Sequence, residues 1–515
     1  MMMSAAHGGD ILRAPRACAP VRGLFSPPGS KSLTQRYMML AALADGVSSI
    51  DNALDSVDTR ALAAGLATLG AGVAWPAGGA LVITGVNGIF PGCGILNAVD
   101  GGTPARFLMA AACLATGTST LDGSARLRQR PMQDGVDMLK ALGAEISRVD
   151  AAQLPLRITP TELFRTGGVC SVGAHASSQF ISALLLIAPW LKRGMQVRFE
   201  GDQPSVSYID LTVDCLRKVG ADAAWDPSQS VGQGVGQGVG QGVGQGGGQG
   251  VGQVVLGVKP ARLKRFHVTI EPDASSAVYA MALAAIVPDS EIAFEHLPRG
   301  SHQPDMAVFD ALIQLGARDC SSDKRAAIAF GKPLHGGVLD ASRWPDGSLA
   351  VMAAAAFASA PVEIRGLATL AGKESDRIDA MSQWLRNIGA VVQSGADWIR
   401  IDGRSTHAKE ISLGKSNTNS VGAFKAPLDT TTNTNLNAVV NQNSNTHADT
   451  NSQAIYAEIT VNPHADHRIA MSAAVAGALR GGVSISDPGC VEKSWPSFWN
   501  DWHRLLSGIE GSVDG

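Results

Sequence analysis

Apolar residues along this chain fall into two regimes: Ala/Leu-rich runs at helical spacing, and short β-branched stretches that follow them. The join between them recurs. Leu66-x-x-Leu-Gly-Ala71 returns at Leu139–Ala144 and Leu312–Ala317, with Val219 or Ile388 for the second leucine at Leu216–Ala221 and Leu385–Ala390, and with a weaker copy at Leu505–Ile509. Each copy reads as an amphipathic helix that ends on a C-cap glycine and is followed by a strand. The glycines stand at 70, 143, 220, 316 and 389, so most gaps lie in the seventies. Two low-complexity stretches lengthen the others: Val-Gly-Gln-Gly tetrapeptides over 229–253, and an Asn/Thr-rich segment over about 412–453. Neither carries enough apolar surface to offset its ordering entropy, so both read as flexible insertions. Without them the pattern predicts six α/β units of similar length, three on each side of the first insertion, and hence two similar domains.

Composition narrows the class. A chain of 515 residues exceeds a single core. A formal charge of −3 with scarce aromatics argues against nucleic-acid binding. Seven scattered cysteines without a C-x-x-C pair point to reduced thiols in the cytoplasm rather than a disulfide or zinc framework. No apolar run suits a membrane span or a signal peptide, so a soluble cytoplasmic protein is expected, with no metal, no cofactor and no membrane partner.

Several helix starts carry chemistry. Pro27-Pro28-Gly29-Ser30-Lys31-Ser32 runs through Arg36 into an apolar helix, with Ser30 as a good N-cap. Its backbone N–H groups, beside two cations and hydroxyls, suit an anion, although the decapeptide alone also reads as an ordinary capped helix. Asp100-Gly101-Gly102-Thr103 leads to Arg106, whose fork matches a carboxylate or phosphate. Arg126-Leu-Arg128-Gln-Arg130-Pro131, Ser177-Ser178-Gln179 and Ser205-Val-Ser-Tyr208 offer more cations and hydroxyls. The second half adds acids among cations: Asp346, Lys373-Glu374-Ser375-Asp376-Arg377, Asp466-His467-Arg468 and Lys493. Any one of these reads equally as a surface ion-pair cluster; together they suit acid–base chemistry on anionic substrates.

In this order the motifs resemble those of the 5-enolpyruvylshikimate-3-phosphate synthase (3-phosphoshikimate 1-carboxyvinyltransferase) family, from about Pro27 to Pro496. The resemblance implies an α/β fold of two similar domains, each of three βαβαββ units, as in the inside-out α/β barrel of enolpyruvyl transferases, with the active site in the interdomain cleft. It implies domains at 1–27 plus 272–515 and at 28–271, with chain crossings near Ser26–Gly29 and Ile270–Asp273. The implied reaction moves the enolpyruvyl group of phosphoenolpyruvate to the 5-hydroxyl of shikimate 3-phosphate and releases phosphate. It proceeds by addition and elimination through a tetrahedral ketal, without a metal, in a monomer.

The resemblance also assigns residues. Lys31, Gly102, Arg130, Gln179, Arg377, Arg468 and Lys493 would hold phosphoenolpyruvate. Lys31, Ser32, Arg36, Ser177, Ser178, Gln179, Ser205, Tyr208, Asp346 and Lys373 would hold shikimate 3-phosphate. Asp346 would act as base toward the hydroxyl and Glu374 as the proton-transfer group at the methylene, with Lys31 and Lys493 as further catalytic groups. Two alternatives share the fold: an enolpyruvyl transferase acting on UDP-N-acetylglucosamine, and an inactive anion-binding module. The first family carries a cysteine just before its Arg-Pro pair, and Leu121–Pro131 has none. The second is disfavoured by the intact Asp346, Glu374, Lys31 and Lys493.

Overall fold

The computed structural model describes residues 11–173, 177–200, 206–226, 254–404 and 457–508. Among these residues six small sheets form. In four of them a strand pairs in parallel with the strand that follows the next helix, in the other two the parallel partner comes from a distant part of the chain, and antiparallel pairing completes each sheet. Ile95–Asn97, for example, runs parallel to Ser119–Asp122, which pairs antiparallel with Leu156–Thr159 and through it with Glu145–Arg148. The glycines of the L-x-x-L-G-A repeat supply the turn between helix and strand: Gly70, Gly143, Gly220, Gly316 and Gly389 all hold φ between +93° and +120°. Side chains rarely enter that region, which is why the repeat keeps glycine there.

The described residues form two separate apolar cores. One gathers residues from Leu33 to Ile270, the other residues from Ala274 onward together with Ala14, Val21 and Phe25. Strand pairing explains the mixed membership of the second. Ile11–Arg13 pairs with Val483–Ser486, and Arg22–Phe25 lies parallel to Glu291–Phe294. In return, His267–Thr269 joins Val47–Asp51 in the first half.

Each core is threaded by three helices that are apolar nearly all round and therefore buried. These are Lys31–Leu43, Gly102–Ala112 and Ser178–Ile187 in one half, and Ala274–Ile286, Ser348–Ala355 and His467–Arg480 in the other. Their alanines let the helices approach closely, and their polar residues gather at the N-terminal ends. There the caps are Ser30, Ser177, Asp273 and Asp466, each accepting a backbone N–H of its own first turn.

The two chain crossings lie side by side. Gly29 bridges Pro272, Ser30 donates to the Glu271 carbonyl at 2.9 Å, and Asp273 donates to the Pro28 carbonyl at 2.7 Å. A Cβ on Gly29 would fall 1.8 Å from the Asn52 carbonyl oxygen, so only glycine admits this approach. Asp273 also accepts the Lys31 backbone N–H at 3.0 Å, which ties the first cleft helix to the second crossing.

Candidate active site

The buried helices begin at one cleft. A cavity of about 300 Å³ there is lined by Lys31, Ser32 and Arg36, by Gly102 and Arg106, by Ser177 to Phe180, and by Asp346, Lys373, Glu374, Arg377, His467 and Arg468, among others. Among the described residues seven lysines and arginines line it against four carboxylates, although the chain as a whole is acidic. Helix N-termini add partial positive charge to the same space.

On the first half the cations crowd one another. A Cβ on Gly102 would lie 2.5 Å from Arg130 Nη1 and 2.6 Å from Arg106 Nη1, so two guanidinium groups flank this one backbone position. Arg106 donates to Gln179 Oε1 at 2.6 Å and lies 4.8 Å from the centre of the Phe180 ring. Burial, reinforced by Arg130, pushes its pKa down to about 9. The buried Nε of Arg130 has no hydrogen-bond partner among the described residues. Two like charges held together out of water favour an anion between them. Lys31 meets Asp58 at 3.3 Å. Arg36 spends its donors within its own half, on Thr212 Oγ1 at 2.8 Å, Ser182 Oγ at 3.2 Å, and the carbonyls of Ser32 and Tyr208. It thus braces the Lys31, Ser178 and Val206 helices as well as lining the cleft.

The second half answers with acids organised around one arginine. Arg377, only 1% exposed, forks Asp466 at 2.7 and 3.2 Å, reaches Asp346 at 2.8 Å and reaches Glu374 at 2.9 Å. Asp346 also meets Lys373 at 3.1 Å and Arg468 at 3.7 Å. Burial opposes ionisation of Asp346, but Lys373, Arg468 and Arg377 outweigh it and hold the carboxyl well below the usual range. Glu374 is likewise kept ionised against burial by Lys493, Arg377 and Arg130. Burial and the nearby Lys31 hold the His467 imidazole neutral.

Contacts cross the cleft. Lys493 Nζ stands 2.9 Å from Glu374 Oε1 and 3.4 Å from Asp100 Oδ2 of the opposite half. Ser207 Oγ donates to the Arg343 carbonyl at 2.5 Å, and His302 pairs with Asp214 at 2.6 Å. Lys493 is carried by a short turn fixed from below, where Trp495 is fully buried against Phe25 and Phe498.

Of the residues expected from sequence, all the described ones gather here. Lys31, Ser32, Arg36, Gly102, Arg130, Ser177, Ser178, Gln179, Tyr208, Asp346, Lys373, Glu374, Arg377 and Arg468 line the cavity, and Lys493 touches it through Glu374. Ser205 lies outside the described residues. Sequence reasoning stopped short of placing Arg106, although it stands four residues after Gly102 and so on the same helix face. Asp58 was missed as a cleft residue and His467 was given no role, while Asp305, behind the cleft and 3.9 Å from Arg468, was also missed. Asp305 is fully buried and accepts from Ser275 Oγ and from the Gly347 N–H at 3.1 Å, yet Gln303-Pro-Asp-Met306 carries no recognisable motif.

The EPSP synthase (3-phosphoshikimate 1-carboxyvinyltransferase) family model matches residues 15–238, 248–420 and 434–502. Relatives named 3-phosphoshikimate 1-carboxyvinyltransferase from Shewanella amazonensis and Thiobacillus denitrificans are each 31% identical, over 94% of this chain and 96% of theirs. An EPSP synthase structure from Acinetobacter baumannii superposes with a TM-score of 0.67 at 22% identity, covering 96% of this chain and 97% of that one. The enolpyruvyl transferase NikO from Streptomyces tendae gives 0.64 at 16% identity, covering 96% and 98%. At such identities the structural likeness speaks to the fold alone, which is that of the enolpyruvyl transferases. With a family match along nearly its whole length, the chain belongs to the EPSP synthase family.

Proposed function

We propose that this chain is a 3-phosphoshikimate 1-carboxyvinyltransferase, transferring the enolpyruvyl group of phosphoenolpyruvate to the 5-hydroxyl of shikimate 3-phosphate. The observation that carries the reading is the pairing of two opposed surfaces. Clustered guanidinium groups around Gly102 share one cavity of about 300 Å³ with a carboxylate pair, Asp346 and Glu374. The family's full-length relatives bear the name of this activity.

In this reading the units 1–27 plus 272–515 and 28–271 act as the two domains, and both contribute to phosphoenolpyruvate. Lys31, Gly102, Arg130 and Gln179 come from one, and Arg377, Arg468 and Lys493 from the other. Ser32, Arg36, Ser177, Ser178, Gln179, Ser205 and Tyr208 hold shikimate 3-phosphate on the first half, with Lys373 reaching it from the second. Asp346, already ionised, takes the proton of the attacking hydroxyl. Glu374 moves the proton at the methylene carbon. In the ligand-free arrangement Lys493 and Arg377 hold Glu374 as the anion. Arrival of a trianionic ligand draws those cations toward its phosphate and carboxylate, which loosens their hold and raises the proton affinity of Glu374. Lys493, itself an acid 2.9 Å away, supplies a route for that proton. Cleft closure excludes the water that would otherwise divert the ketal intermediate.

A coupled phosphate-release assay tests the assignment. Release should require phosphoenolpyruvate and shikimate 3-phosphate together. Release with UDP-N-acetylglucosamine instead would transfer the chain to the sugar-nucleotide reaction, and binding of both ligands without release would make it an anion-binding module.

A further inference from the structure

Arg126 belongs to the first half, immediately before the short turn Leu127–Gln129, yet its guanidinium serves the second. It donates to the carbonyl of Glu374, to that of His464 at 3.2 Å and to that of Ala465 at 3.3 Å. Within its own half it stands 3.9 Å from Asp100, the carboxylate that also meets Lys493. The fork therefore joins two separate segments of the opposite half at one point.

Both segments lead into the cleft. His464 and Ala465 each hold φ of 53°, two successive non-glycine residues in the left-handed region that side chains disfavour. They lead directly into Asp466, which caps the His467–Arg480 helix and forks Arg377. Glu374 precedes Arg377 by three residues and meets it through its side chain. A conformation of this kind persists where its surroundings hold it, and Arg126 supplies donors to both of its carbonyls. The side chain is about one-third exposed, so core packing does not account for its placement.

We propose that Arg126 is a positioning residue for carboxyvinyl transfer. It clamps the Glu374 segment to the His464–Arg468 segment from across the cleft, so that closing the halves sets Glu374 and Arg468 in register. It touches no reacting atom, and the inference rests on the function proposed above. One ammonium cannot reproduce the fork, because the three carbonyls come from two segments.

The test compares Arg126→Ala and Arg126→Lys with the unaltered protein. A misplacement of ~1 Å at reacting groups lowers rate by roughly 10²-fold. The alanine variant should therefore lose about 10- to 100-fold in kcat, with KM for shikimate 3-phosphate, bound mainly by the first half, changed little. The lysine variant should recover only a minor part. Melting temperature should stay near that of the unaltered protein. With both ligands present, amide exchange in peptides spanning 373–377 and 462–468 should quicken in the alanine variant. Unaltered kinetics in Arg126→Ala, full activity in Arg126→Lys, or unchanged exchange in those peptides would each overturn the clamp. So would a fall in activity matched by an equal fall in folded protein. An unaltered protein that shows no turnover removes the proposed function instead, and the exchange comparison then still decides the clamp.

Discussion

Gly102→Ala is a small change with a large expected effect. The added methyl would start 2.5 Å from Arg130 Nη1, 2.7 Å from Arg130 Cζ and 2.6 Å from Arg106 Nη1. Ordinary contact begins near ~3.5 Å, so a guanidinium must retreat by about 1 Å. Arg106 is anchored by Gln179 and seated on Phe180, whereas Arg130 Nε has no described partner, so Arg130 yields. Losing one charge-assisted hydrogen bond to phosphoenolpyruvate costs roughly 1.5–3 kcal/mol. That corresponds to about a 10- to 150-fold weaker ligand. The backbone does not resist the change, because Gly102 opens a helix with ordinary negative φ and alanine favours helix over glycine. Stability should therefore hold or rise slightly while KM for phosphoenolpyruvate climbs. Steady-state kinetics against each substrate, with a thermal melt alongside, measures both. An unchanged KM for phosphoenolpyruvate would refute the placement of the Arg106–Arg130 pair around that ligand.

Three further outcomes follow from the same geometry. Glu374→Gln keeps the shape but not the titration, so kcat should fall by roughly 10²–10⁴-fold while both ligands still bind; unchanged turnover would remove Glu374 from the mechanism. Burial pushes the Asp305 carboxyl up to about 6 from 3.8. Its folded-state pKa is the higher one, so its contribution is fully present below about pH 4 and is lost as pH rises through 6. Relative to Asp305→Asn, the unaltered protein should lose roughly 3 kcal/mol of unfolding free energy between pH 4 and pH 7. Parallel denaturation profiles for the two would contradict that burial. Ala223–Trp225 and Val254–Val258 are antiparallel neighbours, with Trp225 opposite Leu256. Deleting 229–253 therefore leaves two ends that a short turn can join, and activity should stay within about twofold by the phosphate-release assay; loss of folded protein would show the segment to be structural.

Much of this arrangement was legible in the chain. Glycine at a fixed offset after Leu-x-x-Leu marks a helix end because only glycine takes the φ that the turn needs, and Gly70 to Gly389 all do. Ser30 was visible as a helix cap because capping is local chemistry. Grouping the motifs into one cleft, however, needed the resemblance to a known family, since spacing along the chain does not say which helix starts converge. What stayed hidden depends on partners distant in sequence. Arg36 reads as a ligand-binding cation, yet Thr212, Ser182 and the Tyr208 carbonyl occupy its donors, and those lie about 150 to 180 residues away. Asp305 reads as an ordinary turn residue until Ser275 and Gly347 close over it. Arg126 reads as one of three solvated arginines, and its role is set by carbonyls more than two hundred residues further on. The two low-complexity insertions lie outside the described residues.

In the proposed reaction both halves together add a hydroxyl across the enol double bond and then eliminate phosphate. Turnover of phosphoenolpyruvate with shikimate 3-phosphate in D2O, followed by mass spectrometry, tests it most directly. One phosphate should be released per carboxyvinyl product, with deuterium in the product methylene, because a methyl group forms and loses a hydrogen on the path. Phosphate release without shikimate 3-phosphate, or product free of deuterium, would contradict it.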